Sequence, residues 1–218
     1  MPISEVIGPK QIALLIALLC WIASREGMRH PGWLLSLQLL SSFVVEVWAK
    51  DLALRYEGNL WLYNAAGPVE FCTQMLYAAF VVNRRSTWCI AALFVASYGS
   101  CFTYEIFSYG IGDHLMDRSG ILSAFLLTVS FTYLLFTLAM SETVVLLRDP
   151  RSWLFLGIVI YYGGMIPLIG LLNILTEQDG PSASRLYAIN DVLYGVNLSL
   201  VVVSSILFRT RTSPNGRK

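Results

Sequence analysis

The chain of 218 residues is 56% hydrophobic and only 13% charged, with a mean hydropathy of +0.62. An ordinary soluble domain carries about a quarter charged residues, so this composition excludes that class and favours a polytopic membrane protein, with the lipid bilayer as its first partner. The formal net charge of +1 predicts no nucleic-acid partner.

Seven apolar blocks follow one another along the chain, and each predicts a membrane-spanning helix. Five are long enough to cross about 30 Å of hydrocarbon, which takes roughly 20 residues. The first two are shorter, and we expect them to extend into their flanks, with Lys10 and Lys50 reaching the interface. All six tryptophans lie near block ends, as in an aromatic belt. The blocks are Gln11–Ser24, Trp33–Trp48, Leu60–Val82, Trp88–Phe107, Ser119–Leu147, Ser152–Leu175 and Leu186–Phe208.

Together the blocks predict one all-α domain, residues 1–208, built as a polytopic bundle of seven transmembrane helices. Residues 209–218 form a basic tail that we expect to be disordered. Basic residues in short loops favour the cytoplasmic side, so their distribution predicts an N-terminus outside and a C-terminus inside a bacterial cytoplasmic membrane. In that orientation the inner segments hold Arg25, Arg29, Arg84, Arg85, Arg148, Arg151, Arg209, Arg211, Arg217 and Lys218, and the outer segments hold Lys10, Lys50, Arg55, Arg118 and Arg185.

Five acidic residues lie in or at the ends of the apolar blocks, which contain no lysine or arginine. An ionised carboxylate is costly in hydrocarbon, and acids placed there usually face the interior of a bundle and mark function. Without a basic partner, each must be protonated, hydrated or bound to a cation. Glu70 falls near the middle of its block and is the strongest candidate. The five acids are Glu46, Glu70, Glu105, Glu142 and Asp191.

Most polar groups of the blocks converge on the outer half of the predicted bundle. Helical spacing arranges them in stripes that can line one shared pocket, namely Gln38, Ser42 and Glu46; Ser97, Cys101 and Glu105; and Asn190, Tyr194 and Asn197. Two alternatives stay open: Glu46 and Glu105 can lie among lipid headgroups, and Asp191 can help to cap its helix. The predicted ligand- or proton-binding residues are Glu70, Asn64, Asp191, Asn190, Glu105, Glu46 and Asn197.

Two stretches, NAAGPVEF from Asn64 and YYGGMIPLIG from Tyr161, place glycine and proline inside predicted membrane helices. A proline has no N–H, so Pro68 cannot donate to the carbonyl of Asn64, nor Pro167 to that of Gly163. Such a break is tolerated in a membrane only where the backbone is buried or hydrated. It produces either a static kink or, beside a polar pocket, a hinge. The candidate hinge residues are Gly67, Pro68, Gly163, Gly164 and Pro167.

Cofactor and metal chemistry finds no support in the sequence. The four cysteines lie inside apolar blocks, as small buried hydrophobes do. His30 and His114 fall in predicted loops, so no histidine cluster can hold zinc within the membrane. Lysines occur only at positions 10, 50 and 218, which excludes a covalent retinal in the seventh helix. We therefore predict neither a cofactor nor a metal.

The third helix contains NLWLYNAAGPVEF, with an aromatic residue, an asparagine and then a glutamate followed by an apolar residue. The last helix contains the paired polar residues of AINDVLYGVN. In these two helices the chain resembles uncharacterised small bacterial seven-helix membrane proteins. That resemblance implies the topology and carries no activity.

The sequence favours a small-solute or ion carrier in which Glu70 and Asp191 take up a proton or a cation in an outward-facing pocket. The alternative is a receptor-like sensor that signals through a protein partner at the basic inner loops, residues 83–87 and 148–151. A homo-oligomer is compatible with either. An enzyme ranks third, because the blocks hold no recognisable nucleophile or metal site.

Overall fold

A computed structural model describes residues 7–24, 26–55, 58–112, 115–140, 145–178 and 180–211, except for the side chains of 172–185 and 211. Within these residues the protein has seven α-helices, two short 3-10 turns and no strand, so the all-α prediction is confirmed. Glu142, the residues that follow 211 in the predicted tail, and His114 lie outside the described residues.

The helices follow the apolar blocks in the order α1 Pro9–Ala23, α2 Trp33–Leu54, α3 Leu60–Val82, α4 Arg85–Tyr109, α5 Asp117–Ala139, α6 Pro150–Gln178 and α7 Gly180–Arg211. As expected for a short block, α2 extends into its flank, continuing past Trp48 through Lys50 and Asp51. Other ends differ from the predicted ones. α5 ends before Leu147, and the 3-10 turn Leu146–Arg148 precedes α6.

The helices close into a bundle in which consecutive helices pack side by side and α7 returns to α1. α3 also contacts α5, which leaves α4 at the periphery against both. Along α4 only Tyr98 and Glu105 are buried. The first residues of α1, α3, α5 and α7 meet the last turns of α2, α4 and α6, and we call this end of the bundle the cavity end.

The bundle is apolar both inside and outside. Trp21, Phe71 and Phe131 are at most 1% exposed, whereas Phe107 on α4 and Val192 on α7 are 86% and 66% exposed. In water such apolar surface costs about 25 cal/mol per Å², a cost that hydrocarbon removes. The five helices α3 to α7 contain segments long and apolar enough to cross a bilayer, and α1 is apolar but shorter. These are the features expected of a membrane protein.

Two glycines allow α6 and α7 to pack closely. A Cβ at Gly157 would lie 2.8 Å from the Oδ1 of Asn197, and one at Gly164 would lie 2.6 Å from the Cδ1 of Leu193. Small residues at such positions let helices approach, which is a common basis of packing between membrane helices. This contact fixes α7 against α6 beside the candidate site.

Candidate functional site

A cavity of about 530 Å³ lies at the cavity end, and all seven helices contribute to its wall. Helices that alternate in direction bring the starts of odd-numbered helices beside the ends of even-numbered ones, which is why residues far apart in the chain meet here. Nine of the predicted residues line it: Gln38, Ser42, Glu46, Asn64, Gly67, Glu70, Asn190, Asp191 and Tyr194.

Glu70 is held by a chain of hydrogen bonds that joins α2, α3 and α6. The hydroxyl of Tyr162 donates to its Oε1 at 2.6 Å, and the Nε2 of Gln38 donates to the same oxygen at a longer 3.4 Å. The Nε2 of Gln74 in turn donates to the Tyr162 hydroxyl at 2.7 Å. Because Gln74 follows Glu70 by four residues, both lie on one face of α3. Tyr162 and Gln38 therefore bond directly to the Glu70 carboxyl group and can respond to a change in its protonation state.

Lys10 occupies the mouth of the cavity as an ammonium group among carboxylates. Its Nζ lies 2.7 Å from Glu46 Oε1 and 3.4 Å from Asp191 Oδ1, and 5.3 Å from the centre of the Tyr194 ring. The expectation that these two acids have no basic partner was wrong. Lys10 stands in the first turn of α1, and its long, flexible side chain reaches both acids.

Six tyrosines dominate the cavity wall, and the sequence did not single them out as a group. Tyr161 packs on Tyr162 and on Tyr194, with ring centres 4.9 and 5.3 Å apart. Tyr63 donates to Glu46 Oε2 at 3.5 Å. Aromatic faces attract cations, and tyrosine hydroxyls add hydrogen bonds. The six are Tyr63, Tyr98, Tyr161, Tyr162, Tyr187 and Tyr194.

Asn64 joins α3 to the segment between α4 and α5. Its Nδ2 donates to the carbonyl of Ile111 at 2.8 Å, and its Oδ1 accepts from the backbone N–H of Met116 at 3.3 Å. The side chain is 5% exposed. These bonds hold the connection against the cavity wall, so Asn64 has an architectural role besides lining the cavity.

Glu105 does not line the cavity. Its side chain is 1% exposed, and its two carboxyl oxygens accept the backbone N–H groups of Arg118 and Ser119, each at 2.9 Å. Those N–H groups belong to the first turn of α5, where a helix needs acceptors and favours negative charge. Ser97 and Cys101, the other residues of its predicted stripe, do not line the cavity either. Ser97 is exposed and donates to the carbonyl of Leu93. Glu105 thus fastens α4 to α5.

The polar residues of α7 divide between two places. Asn190 and Asp191 line the large cavity, where Asn190 Oδ1 is buried and has no hydrogen-bond partner in the described part of the chain. Asn197 lies two turns deeper, at a separate small cavity. Its Oδ1 is also buried without a described partner, a state that costs about 1–3 kcal/mol unless a donor is supplied.

The hinge candidates occupy continuous helices. Pro68 lies within α3 and Pro167 within α6, and neither interrupts its helix. Gly67 admits Tyr98, whose hydroxyl would lie 3.3 Å from an added Cβ. Gly163 faces Thr128 with room to spare, at 3.7 Å, whereas Gly164 is a tight packing position. Their role as hinges stays a prediction.

Comparison with known proteins finds no matching protein family, no matching curated protein and no matching solved structure. Among the described residues, no group of three or more histidine, cysteine, aspartate or glutamate side chains could hold a metal ion. What the cavity does is therefore argued from its own chemistry.

Proposed function

We propose that this protein is a membrane carrier that binds a small organic cation in the large cavity and exchanges it for a proton at Glu70. The observation that carries the proposal is the charge of the cavity wall. Among the described residues, this wall holds three carboxyl groups, Glu46, Glu70 and Asp191, and one ammonium group, Lys10. Lys10 contacts two of the three acids, so the deepest one, Glu70, has no cation beside it among the described groups. A bound cation or proton would supply the positive charge that Glu70 lacks.

Size and lining support an organic cation. The volume of about 530 Å³ lies within the range of about 300–1,000 Å³ that is typical of small-molecule sites. The tyrosine faces suit an ammonium group, and each such contact contributes about 0.5–2 kcal/mol. Lys10 gives an internal example, since its ammonium lies among two carboxylates and the Tyr194 ring.

Proton coupling follows from competition at Glu70. A protonated Glu70 is neutral and leaves an arriving cation without a counter-charge, whereas an ionised Glu70 attracts it. Proton and cation therefore exclude each other, and one leaves as the other binds. Pro68 stands two residues before Glu70 on α3, so a change of bend there, with a matching change at Pro167, would move the carboxyl group between the two sides of the membrane.

The proposal includes seven spans with the N-terminus outside and the C-terminus in the cytoplasm. The distribution of basic residues supports this orientation. α1 and α2 would complete the spans, although α1 has only 15 residues and α2 carries a polar stripe. In this orientation the cavity faces outward and Glu70 lies near the middle of the bilayer.

Purified protein in proteoliposomes tests the proposal, with radiolabelled choline as a quaternary probe and n-butylammonium as a primary one. An acidic interior should drive uptake of the cation, because proton exit provides the energy. The neutral choline isostere 3,3-dimethylbutan-1-ol should not compete. Glu70→Gln should abolish the pH-driven component, and Glu70→Asp should retain part of it.

Asp51→Asn is the matched control, since Asp51 pairs with Arg55 at the surface, outside the cavity wall. It should transport like the wild type. The same pH dependence in wild type and Glu70→Gln would refute the coupling. Choline binding without flux under any gradient would refute a carrier and assign the cavity to a receptor.

A further inference from the structure

A second cavity, of about 20 Å³, lies one helical turn deeper in the bundle than Glu70. Gln38 lines both cavities, while Gln74 and Asn197 face only the small one. The rest of its wall is largely apolar, with residues such as Leu35 and Ile158. Three amide side chains, those of Gln38, Gln74 and Asn197, therefore face a cavity in an otherwise apolar part of the core.

Two buried oxygens at this cavity, Gln74 Oε1 and Asn197 Oδ1, have no hydrogen-bond partner within the described ranges. The two residues are only 1% and 9% exposed, so bulk water does not reach them. The nitrogen of the Gln74 amide is already engaged, because it donates to the Tyr162 hydroxyl. Both oxygens are acceptors, so they cannot satisfy each other and need a donor between them.

We propose that the small cavity binds one water molecule, which donates one hydrogen to Gln74 Oε1 and the other to Asn197 Oδ1. To hold a buried water, a cavity needs a volume of roughly 10–15 Å³ and two to four polar partners for the water. This cavity, of about 20 Å³, offers both. A metal ion fits less well, since a calcium ion takes about six to eight oxygen ligands. Water also matches the two acceptors in number, with one hydrogen for each.

The water completes a chain that runs from Glu70 through Tyr162 and Gln74 to Asn197. In the arrangement described, Gln74 Nε2 donates to Tyr162, and the Tyr162 hydroxyl donates to Glu70 at 2.6 Å. From the water onward, each bond through Gln74 and Tyr162 is directed toward Glu70, which accepts at the end, while the other hydrogen of the water is donated to Asn197. This direction suits an ionised carboxylate, which only accepts hydrogen bonds.

The same chain has a second arrangement, which suits a protonated Glu70. The carboxyl O–H then donates to Tyr162, the Tyr162 hydroxyl donates to Gln74 Oε1, and the amide turns over so that Nε2 donates to the water. The water keeps one bond to Asn197 and changes from double donor to donor and acceptor. No proton travels along the chain, because the hydroxyl rotates and the amide turns. Water is essential, since it both donates and accepts.

The protonation state of Glu70 on α3 is thereby transmitted through Tyr162 and Gln74 to the water. Asn197 on α7 accepts from that water in both arrangements and acts as a positioning residue. This coupling rests on the proposed proton exchange at Glu70, whereas the water site does not. Other titratable or charged groups face the large cavity together with Glu70: Lys10 from α1, Glu46 from α2, Tyr63 from α3, Tyr98 from α4, Tyr161 and Tyr162 from α6, and Tyr187, Asp191 and Tyr194 from α7.

Infrared spectra of the full chain in lipid nanodiscs test the water at fixed pH. The wild type should show a sharp O–H stretch that shifts when H₂¹⁶O is replaced by H₂¹⁸O. Gln74→Leu and Asn197→Leu, both close in volume to the native residues, should each lose this band. Ser205→Ala should keep it, since buried Ser205 donates to the carbonyl of Val201 on its own helix. A band unchanged in whichever leucine variant folds, or missing in the wild type, would overturn the water site.

A pH jump on protein with ¹³C-labelled glutamine side chains tests the reversal. In the wild type, the Gln74 amide band should move together with the carboxyl band of Glu70, and Tyr162→Phe should uncouple the two while keeping the water band. A carboxyl band that moves without the amide band would refute the reversal. If Glu70→Gln removes no titrating band, the proton exchange fails instead, and the fixed-pH measurement still decides the water site.

Discussion

Replacing Lys10 tests whether the ammonium of the chain competes with the solute. Lys10→Met removes the charge and keeps a long apolar stem. If an incoming cation must displace Lys10 from Glu46 and Asp191, the substitution should tighten binding of choline. It should also lower the free energy of unfolding slightly, because an ion pair is lost.

The strength of the Lys10 ion pairs is set by how exposed their side chains are rather than by the distance between their charges. At about 4 Å, Coulomb's law with an effective dielectric constant of 20 gives about 4 kcal/mol. However, the side chains of Lys10, Glu46 and Asp191 are 29%, 14% and 60% exposed, so solvent screening and side-chain entropy reduce the pair to about 0.2–1 kcal/mol. The burial of Glu46 favours the upper end of that range. A free-energy difference of about 1.4 kcal/mol corresponds to a tenfold change in a dissociation constant. We therefore expect choline to bind to Lys10→Met up to about fivefold more tightly than to the wild type.

Equilibrium binding of choline to purified protein in nanodiscs measures the effect. Lys10→Arg keeps the charge and should bind within about twofold of the wild type, because the guanidinium can contact the same carboxylates. Lys50→Met is the matched control, since Lys50 does not line the cavity. Unchanged affinity in Lys10→Met would show that Lys10 does not compete. Weaker binding would show that Lys10 contacts the solute directly, and would point to an anionic group on the solute.

Four substitutions test the architecture around the cavity. Glu105→Ala should lower the free energy of unfolding by at least about 3 kcal/mol, because it removes two hydrogen bonds to a charged acceptor worth about 1.5–3 kcal/mol each; an unchanged Tm in detergent would contradict this role. Gly164→Val should cost about 1–3 kcal/mol by overpacking α6 against α7, whereas Gly163→Ala should be nearly neutral, and equal Tm losses would refute the packing argument. Pro68→Ala should raise Tm by supplying a backbone N–H and slow choline flux; undiminished flux would reduce Pro68 to a static kink.

The helices could be predicted from the sequence because each apolar block is long and is separated from the next by charged or turn-forming residues. Their ends were harder to predict. α3 ends at Val82, where the next residue, Asn83, adopts a left-handed conformation with φ of 48°, and α4 begins at Arg85, earlier than the predicted Trp88. Polar residues at the ends of membrane helices carry little hydropathic signal, so the ends depend on local capping.

The candidate site was only partly predictable for a different reason. Helical spacing shows which residues share a face, but not which neighbour that face meets. Tyr98 and Glu105 lie on the same face of α4, seven residues apart, yet Tyr98 lines the cavity and Glu105 meets the first turn of α5. Lys10 could be placed only by knowing that Glu46 lies within its reach.

The two helices that do not count among the five long apolar ones, α1 and α2, also supply the cavity mouth. α1 has 15 residues and carries Lys10 and Gln11, and α2 carries a polar stripe that includes Glu46. Gln11 is 4% exposed and donates to the carbonyl of Glu46 at 3.4 Å, so it too is hidden from lipid. Polar groups that face a cavity lower the hydropathy of a helix without exposing it to hydrocarbon. In the proposed topology, α2 is therefore a span that hydropathy underestimates because it carries part of the site, whereas α1 is apolar and falls short only in length.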